Sequence, residues 1–271
     1  MTQFLAACVQ LNSGPVMADN LETAAHFIVD AAKAGATFVA LPENTGFIVA
    51  TAAERQEKAC ADDELPALPL FTTLARDHSV WLMSGSFCVR LPSGKLVNRC
   101  YMISPRGEIV ARYDKIHLFD VDLPNGEVYR ESDTYSHGRN AVVVHTDVAD
   151  FGMTICYDLR FPHLYRQLAQ HGAHVLLIPA AFTVPTGKAH WHVLQRARAI
   201  ETGCYVLAPA QTGTHAGGRQ TFGHSLIINP WGEVMAEKPE GAGAIFAEID
   251  LNNVTKARNA VPAWRHDVAF S

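Results

Sequence analysis

The sequence predicts an α/β fold in which β-sheets form the centre and helices pack outside them. Three observations predict it. Short apolar, strand-like runs recur along the whole chain, amphipathic helical segments separate several of them, and the middle reads as successive hairpins. At 271 residues, 48% of them hydrophobic and 18% charged, the chain is long enough to bury a large core.

Residues 4–11 read as a first strand. Leu21, Ala24, Ala25, Ile28, Ala31 and Ala32 then recur at helical spacing, so 19–33 is a helix, with Asp19 and Glu22 resembling a capping box and Gly35 as the stop. Residues 37–41 form a short buried strand ending at Pro42-Glu43. Helical text follows at 52–60 and again before His78. Strands at 80–89, 96–103 and 108–113 are joined by Pro-Ser-Gly and Pro-Arg-Gly turns. A stretch rich in Asp, Pro, Gly and Ser covers 117–140. At about 20 residues it exceeds ordinary connections, and loops that long are often functional, a closing lid being one option. Beyond it, strands at 141–144, 152–156 and 174–178 alternate with helices at 161–171 and 187–201, and strands at 204–208, 225–228, 233–236 and 244–249 complete the pattern. No internal repeat or linker divides the chain. A single domain is expected over 1–258, and the 259–271 tail, which lacks a core-forming pattern, could reach a partner subunit.

With 22 basic and 27 acidic residues the formal charge is −5, and no Lys/Arg cluster stands out. A nucleic-acid or anionic-membrane surface is therefore not expected. Leu5-Ala6-Ala7-Cys8 superficially resembles a lipoprotein processing site, but it lacks a cationic leader. No apolar run approaches the ~18 residues that span a bilayer. The six cysteines are widely spaced with no CxxC pair, which fits a reducing cytoplasm better than a disulfide framework. Five read as small buried hydrophobes. One does not.

That one lies in FGMTICYDLRFP, residues 151–162, where an apolar strand ends at Cys156 and a helix opens near Phe161. A thiol at a strand end beside a turn faces a cleft. Nearby N–H groups, that of Tyr157 first, can face an oxyanion, and helix-end dipoles favour thiolate. In LPENTGF, residues 41–47, Glu43 follows a buried strand and a proline. In RYDKIHLFD, residues 112–120, Lys115 lies between apolar residues at another strand end. Each has an ordinary explanation alone: a buried structural cysteine, a surface or capping glutamate, a lysine snorkelling at the sheet rim. All three, however, follow a strand and enter a loop. Together they make a self-consistent acyl-transfer set, in which Glu accepts the thiol proton and later activates water while Lys steadies charge on the carbonyl oxygen.

These segments resemble the blocks of the nitrilase superfamily, the carbon–nitrogen hydrolases with a Glu-Lys-Cys site. The resemblance runs from AACVQLNSG to NPWGEV and the strand after it. It implies Glu43 as general base, Lys115 as oxyanion and positioning cation, Cys156 as nucleophile, and Glu131, in YRESDTYSHG, as a glutamate supporting the lysine and the substrate. It also implies a four-layer α-β-β-α sandwich assembled as a homodimer or larger homo-oligomer. CYDLRFP, AFTVPTGKAHWHVLQRARAIETGCYV and GRQTFGHSLIINPWGEV are most similar to the deaminated-glutathione amidase branch. That branch cleaves a 2-oxoglutaryl amide, through a cysteine thioester, to 2-oxoglutarate and cysteinylglycine. The ω-amidases, acting on 2-oxoglutaramate, share much of this text and are the alternative, with other small-amide or N-carbamoyl hydrolases of the superfamily behind them. A non-catalytic scaffold member is distant, because a scaffold would not require Glu43, Lys115, Cys156 and Glu131.

The resemblance further implies that Arg160, four residues after Cys156, contacts the carboxylate of the oxoglutaryl end, although an ion pair with Asp158 explains it locally. His190 is a further candidate at the pocket border. Thirteen histidines invite a zinc reading. Yet His190 and His192, two apart on a helix, lie roughly 200° around its axis and cannot grip one metal together. No HExxH, Cys-rich ligand set, GxGxxG or Walker-type loop appears, so neither metal nor cofactor is expected. A papain-like Cys–His pair would leave Glu43 and Lys115 unexplained.

Overall fold

The computed structural model describes residues 2–123 and 126–269. Pro124 and Asn125 of the 117–140 stretch, and Phe270 and Ser271 of the tail, lie outside the described residues. In chain order the first half runs β1 (Gln3–Gln10), α1 (Met17–Lys33), β2 (Phe38–Ala40), α2 (Ala52–Lys58), α3 (Ala67–His78), β3 (Trp81–Arg90), β4 (Leu96–Ile103) and β5 (Ile109–Asp114). A hairpin of β6 (Asp120–Asp122) and β7 (Val128–Arg130) precedes β8 (Val142–His145), β9 (Asp150–Met153), α4 (Pro162–Gln170), β10 (Val175–Leu177), α5 (Val184–Thr202) and β11 (Tyr205–Ala208). A second hairpin, β12 (Thr212–Thr214) and β13 (Gln220–Phe222), leads to β14 (Ser225–Ile228), β15 (Val234–Lys238), β16 (Gly243–Asp250) and α6 (Leu251–Ala260).

Two six-stranded sheets result, ordered β16-β1-β2-β3-β4-β5 and β15-β14-β11-β10-β9-β8. Both follow one plan. Three parallel strands (β1-β2-β3; β9-β10-β11) are flanked by one antiparallel strand on one side (β16; β8) and two on the other (β4-β5; β14-β15). The parallel strands are buried on both faces, which is why they read as continuous apolar runs rather than alternations.

The sheets pack face to face. Phe4, Phe38 and Met102 of one share a core with Phe151, Met153 and Leu177 of the other, and α4 and α5 cover the outer face of the second sheet through Leu164, Leu168 and Trp191. On the outer face of the first sheet, Leu21, Ile28, Phe71 and Ala75 of α1 and α3 meet Val9, Val39 and Leu82. This is the expected α-β-β-α sandwich. Its midline is marked by the Phe38 and Phe151 rings, stacked 4.3 Å apart at 12°. Among the described residues, no helix is long and apolar enough to cross a membrane.

Two local expectations, the α1 cap and the 117–140 loop, are corrected. Helix α1 begins two residues before Asp19 and has Val16 at its N-cap, with no side-chain cap bond. Asp19 instead lies in the first turn, facing the helix dipole. Its neighbour Asn20 turns inward, accepting from Gly14 N at 2.8 Å and donating to the carbonyls of Gly14 and Gly46. A capping box does occur, but on α2, between Thr51 and Glu54. The 117–140 stretch is not a structureless loop, since it holds the β6–β7 hairpin and a single helical turn at Glu131–Asp133. Helix α6 runs through residue 258 to Ala260, and the described tail packs on its own chain: Arg166 and Gln170 of α4 donate to Asp267 at 2.7 and 2.6 Å.

Phe38→Ala removes a fully buried ring at the contact between the sheets, and its unfolding free energy in urea falls by about 3–5 kcal/mol. Val110→Ala, on the exposed side of β5, stays within about 0.5 kcal/mol of the parent. Equal losses for the two would contradict this account of the core.

Candidate active site

The residues expected to act together leave the ends of three strands. Glu43 follows β2, and its loop is clipped to an irregularity in β3, where the register with β4 shifts between Met83 and Ser86. Thr45 N donates to Ser86 O and Asn44 N to Ser86 Oγ, both at 3.0 Å. Gly85 makes this approach possible: its φ is +68°, and a Cβ there would lie 2.2 Å from the Pro42 carbonyl oxygen. From the other sheet, Gln211 Nε2 donates to the Glu43 carbonyl at 3.0 Å, so the loop is held from both sides.

Lys115 follows β5 and is drawn inward by its backbone, with its N–H on Asn98 O and its carbonyl accepting from Gly138 N. Cys156 follows β9. Its N–H donates to Pro179 O at 2.9 Å, in the loop after β10, and its φ is +50°, a left-handed conformation rare outside glycine. Such a residue projects its side chain out of the strand line into the space between the loops. Tyr157 comes next, in the first turn of a five-residue 3₁₀ segment (Cys156–Arg160), where N–H groups have no intrahelical acceptor.

The side chains meet in a buried cluster. Lys115 Nζ donates to Glu43 Oε1 at 3.0 Å and to Glu131 Oε2 and Oε1 at 2.8 and 3.1 Å. Glu43 Oε1 also accepts from Asn98 Nδ2, and Oε2 from Ala181 N, both at 2.9 Å. The Cys156 thiol lies next to the same carboxylate, close enough for each to act on the other's ionisation. Glu131 Oε2 takes the Phe119 N–H at 2.6 Å. Glu43 and Lys115 are 3% and 2% exposed, so neither charge is met by solvent and each is met by the other.

These contacts set the protonation states. Burial pushes the Glu43 carboxyl up, but the Lys115 ammonium and the hydrogen bonds from Cys156 and Lys115 outweigh it, and the group ends below the usual carboxylate range. Burial works against the Lys115 charge, yet Glu131 and Glu43 hold the ammonium above the ordinary lysine value. The Cys156 thiol is pushed well above the ordinary range, first by burial and then by the Glu43 charge, with Lys115 only partly opposing. Any help that a helix end gives the thiolate is thus outweighed by burial and the Glu43 charge. The resting site holds a neutral thiol against a carboxylate base, an arrangement that can pass a proton when the sulfur attacks.

Sequence reasoning missed the residue that ties Cys156 to the Lys115 strand. Asp158, expected only as a partner for Arg160, is fully buried. Its Oδ2 accepts from Tyr113 OH at 2.7 Å and Ile155 N at 2.9 Å, and its Oδ1 accepts from His117 N at 3.0 Å and lies 2.7 Å from His117 Nδ1. Asn98 was missed as well, although a polar residue in the apolar strand LVNRCYMI was a readable signal.

Glu43, Lys115, Glu131, Cys156 and Tyr157 all line one open cleft. Arg160 and His190 do not line it. They pair with each other, Nη1 to Nδ1 at 3.2 Å, and the Arg160 guanidinium stands 5.8 and 5.4 Å from the centres of the Tyr157 and Phe182 rings, which do line it. The arginine that does line it beside Ala181 is Arg219. Its Nη2 donates to Ala181 O at 3.1 Å, its guanidinium stands 5.9 Å from the Tyr129 ring centre, and its buried Nε has no hydrogen-bond partner among the described residues.

The family model for carbon-nitrogen hydrolases matches residues 5–259. A deaminated glutathione amidase of Synechocystis is 43% identical over 99% of both chains, and one of Yersinia enterocolitica is 38% identical over 96% of this chain and 92% of its own. The crystal structure of the Caenorhabditis elegans NitFhit protein superposes with a TM-score of 0.92 at 36% identity. It matches 98% of this chain, which spans 65% of that longer protein. The chain belongs to the carbon-nitrogen hydrolase family, whose members cleave carbon–nitrogen bonds.

Proposed function

We propose that this protein hydrolyses the 2-oxoglutaryl amide bond of deaminated glutathione, releasing 2-oxoglutarate and cysteinylglycine. The observation that carries the chemistry is the commitment of Glu43: one carboxylate touches the thiol, the Lys115 ammonium and a backbone N–H at once. The thiol sulfur attacks the amide carbon as Glu43 takes its proton, and the carbonyl electron pair moves to oxygen beside Lys115 and the Tyr157 N–H. Collapse breaks the C–N bond, and Glu43 returns the proton to the departing cysteinyl nitrogen. Water then attacks the thioester with Glu43 again as base, the C–S bond breaks, and the thiol is restored. Glu131 keeps the ammonium aimed at this point.

The substrate class is supported by Arg219. Arg219 lines the cleft with only its Nη2 hydrogen-bonded, to Ala181 O, among the described residues, and its planar guanidinium suits the carboxylate beside the ketone. On this reading Arg219 takes the part that the resemblance assigns to Arg160, whose guanidinium is paired with His190. The 43% and 38% identical relatives named deaminated glutathione amidase support the same substrate. The ω-amidase reading shares the acyl half and differs in the leaving group. Arg55, which also lines the cleft, favours a leaving group that ends in a carboxylate, as cysteinylglycine does and ammonia does not. Self-association as a homodimer or larger homo-oligomer fits Val193 and Ile200, exposed one above the other on α5, and six free cysteines fit a cytoplasmic location.

Three outcomes follow. Cys156→Ala abolishes turnover with the fold retained, Glu43→Gln slows both formation and hydrolysis of an acyl adduct seen by intact mass on the Cys156 peptide, and Lys115→Ala costs at least about 100-fold in kcat. An adduct on another cysteine, or an active Cys156→Ala enzyme, would refute the mechanism.

The pH profile is a second check. Glu43 is held below its ordinary range and Cys156 and Lys115 above theirs. Glu43 therefore stays ionised, and the other two protonated, throughout the neutral range. kcat/KM should run level through pH ~8.5, where a free thiol ionises. A rise through that pH would show a thiolate acting without Glu43.

The arginines are separated by substrate. Arg219→Lys raises KM sharply for deaminated glutathione and 2-oxoglutaramate but spares neutral short amides, whereas Arg160→Ala changes little. The reverse result would return the carboxylate to Arg160. A higher kcat/KM for 2-oxoglutaramate than for deaminated glutathione in the parent enzyme would make it an ω-amidase.

A further inference from the structure

His192 was set aside as a ligand because His190 cannot share a metal with it, and the structure does send the two apart: His190 meets Arg160, while His192 faces the β14–β15 hairpin. There it finds different company. His192 Nε2 lies 2.9 Å and His224 Nδ1 2.5 Å from one oxygen, Oε1 of Glu237, and the three ligand atoms all lie within 4.8 Å of one another. None of the three lines the acyl cleft.

The three side chains come from separate elements. His192 stands on α5 next to Trp191, which is fully buried and donates its indole N–H to the His224 carbonyl at 2.7 Å. His224 has a φ of +55° and is held by its N–H on Pro239 O, and its ring is stacked on Phe222 at 4.1 Å. Glu237 is set by the β14–β15 register, opposite Leu226. A left-handed backbone on a histidine, anchored by a buried tryptophan, aims that ring at a fixed point. The side chains are 36%, 24% and 30% exposed for His192, His224 and Glu237, which leaves a path from solvent.

We propose that His192, His224 and Glu237 form a binding site for a divalent transition-metal ion of the zinc class. Two imidazole nitrogens and one carboxylate oxygen are a ligand set for zinc, cobalt or nickel rather than for calcium or magnesium, which prefer oxygen alone. Metal bonds of about 2.0–2.1 Å place tetrahedral ligand atoms about 3.3 Å apart. The present separations are hydrogen-bond lengths, so the ion enters by small side-chain rotations and replaces the protons now shared with Glu237. Water fills the remaining positions. The ion would fasten α5 to the β14–β15 hairpin, a structural role separate from amide hydrolysis.

The test uses the full chain carrying Cys156→Ala, so that the cleft thiol cannot take the metal, after treatment with a chelator. Titration with Zn²⁺ by calorimetry, and with Co²⁺ by visible absorption, is expected to give one saturable equivalent per chain with an imidazole-type Co²⁺ spectrum. Glu237→Gln and His192→Ala should each weaken it by at least about 100-fold. These two are chosen over His224 because its backbone conformation makes substitution there a folding risk, and circular dichroism verifies that both variants fold. Zn²⁺ should raise Tm in the parent and not in the variants. No saturable binding, binding unaltered by both variants, or half an equivalent per chain, as for an ion shared between two copies, would each overturn the site. In the first case the cluster is only a His–Glu–His hydrogen-bond clamp.

Discussion

One ammonium between two carboxylates governs this site. Lys115 is 2% exposed, and its charge survives burial only because Glu43 and Glu131 face it from opposite sides. The dependence is mutual. Without Lys115, Glu43 would lose the largest of the contributions that lower it, while burial would still push its carboxyl up. Much of the surrounding structure can be understood as protecting that triplet: Asn98 and the Ala181 N–H occupy the remaining lone pairs of Glu43, and the Phe119 N–H occupies one of Glu131. Buried ionic groups are tolerable when every lone pair and proton is satisfied, and costly when one is not.

The sandwich places these groups without long side-chain excursions. Each sheet follows the same plan of strand directions, and the loops that leave β2, β5 and β9 carry Glu43, Lys115 and Cys156 to a common place. Two devices hold the alignment across the seam. Gln211, after β11, donates to the carbonyls of Glu43 and Asn44, so the second sheet grips the base loop of the first. Asp158, on the nucleophile turn, accepts from Tyr113 of β5 and from His117, so the nucleophile turn in its turn grips the lysine segment. Three short strand extensions are thereby tied to one another, which suits a reaction that depends on the placement of its groups.

The sequence made the strands, the helices and the three strand-end residues legible, because periodicity and a polar group just past an apolar run are local signals. Asp19 shows where local reading fails. Its spacing to Glu22 satisfies a capping pattern, but tertiary contacts of Asn20 with Gly14 and Gly46 set the helix start two residues earlier. Arg160 and Arg219 show the same limit at the site. The resemblance and nearness to Cys156 in the chain pointed to Arg160, whose guanidinium in this 3₁₀ turn meets His190. Arg219 lies 63 positions from Cys156 and reaches the cleft through the β12–β13 hairpin, a pairing whose three-residue strands leave no clear periodic trace. Asp158 was invisible for a further reason: its partners lie on β5, in the opposite sheet, and no spacing rule connects them.

The cysteines make the final point about reactivity. Six are present and all are free. Burial raises every one of them: Cys88 goes to about 11, Cys8 and Cys100 go far above the ordinary range, and Cys156 rises with them. A lowered thiol pKa therefore does not single out Cys156. What does is its surroundings. Cys8 and Cys100 are sealed inside strands β1 and β4 within the core between the sheets, and neither lines the cleft. Cys156 alone among the six lines the cleft and touches Glu43. Under the proposed mechanism the raised Cys156 thiol becomes a nucleophile only as Glu43 takes its proton and the bond to carbon forms, which ties reactivity to the presence of an acyl group in the cleft.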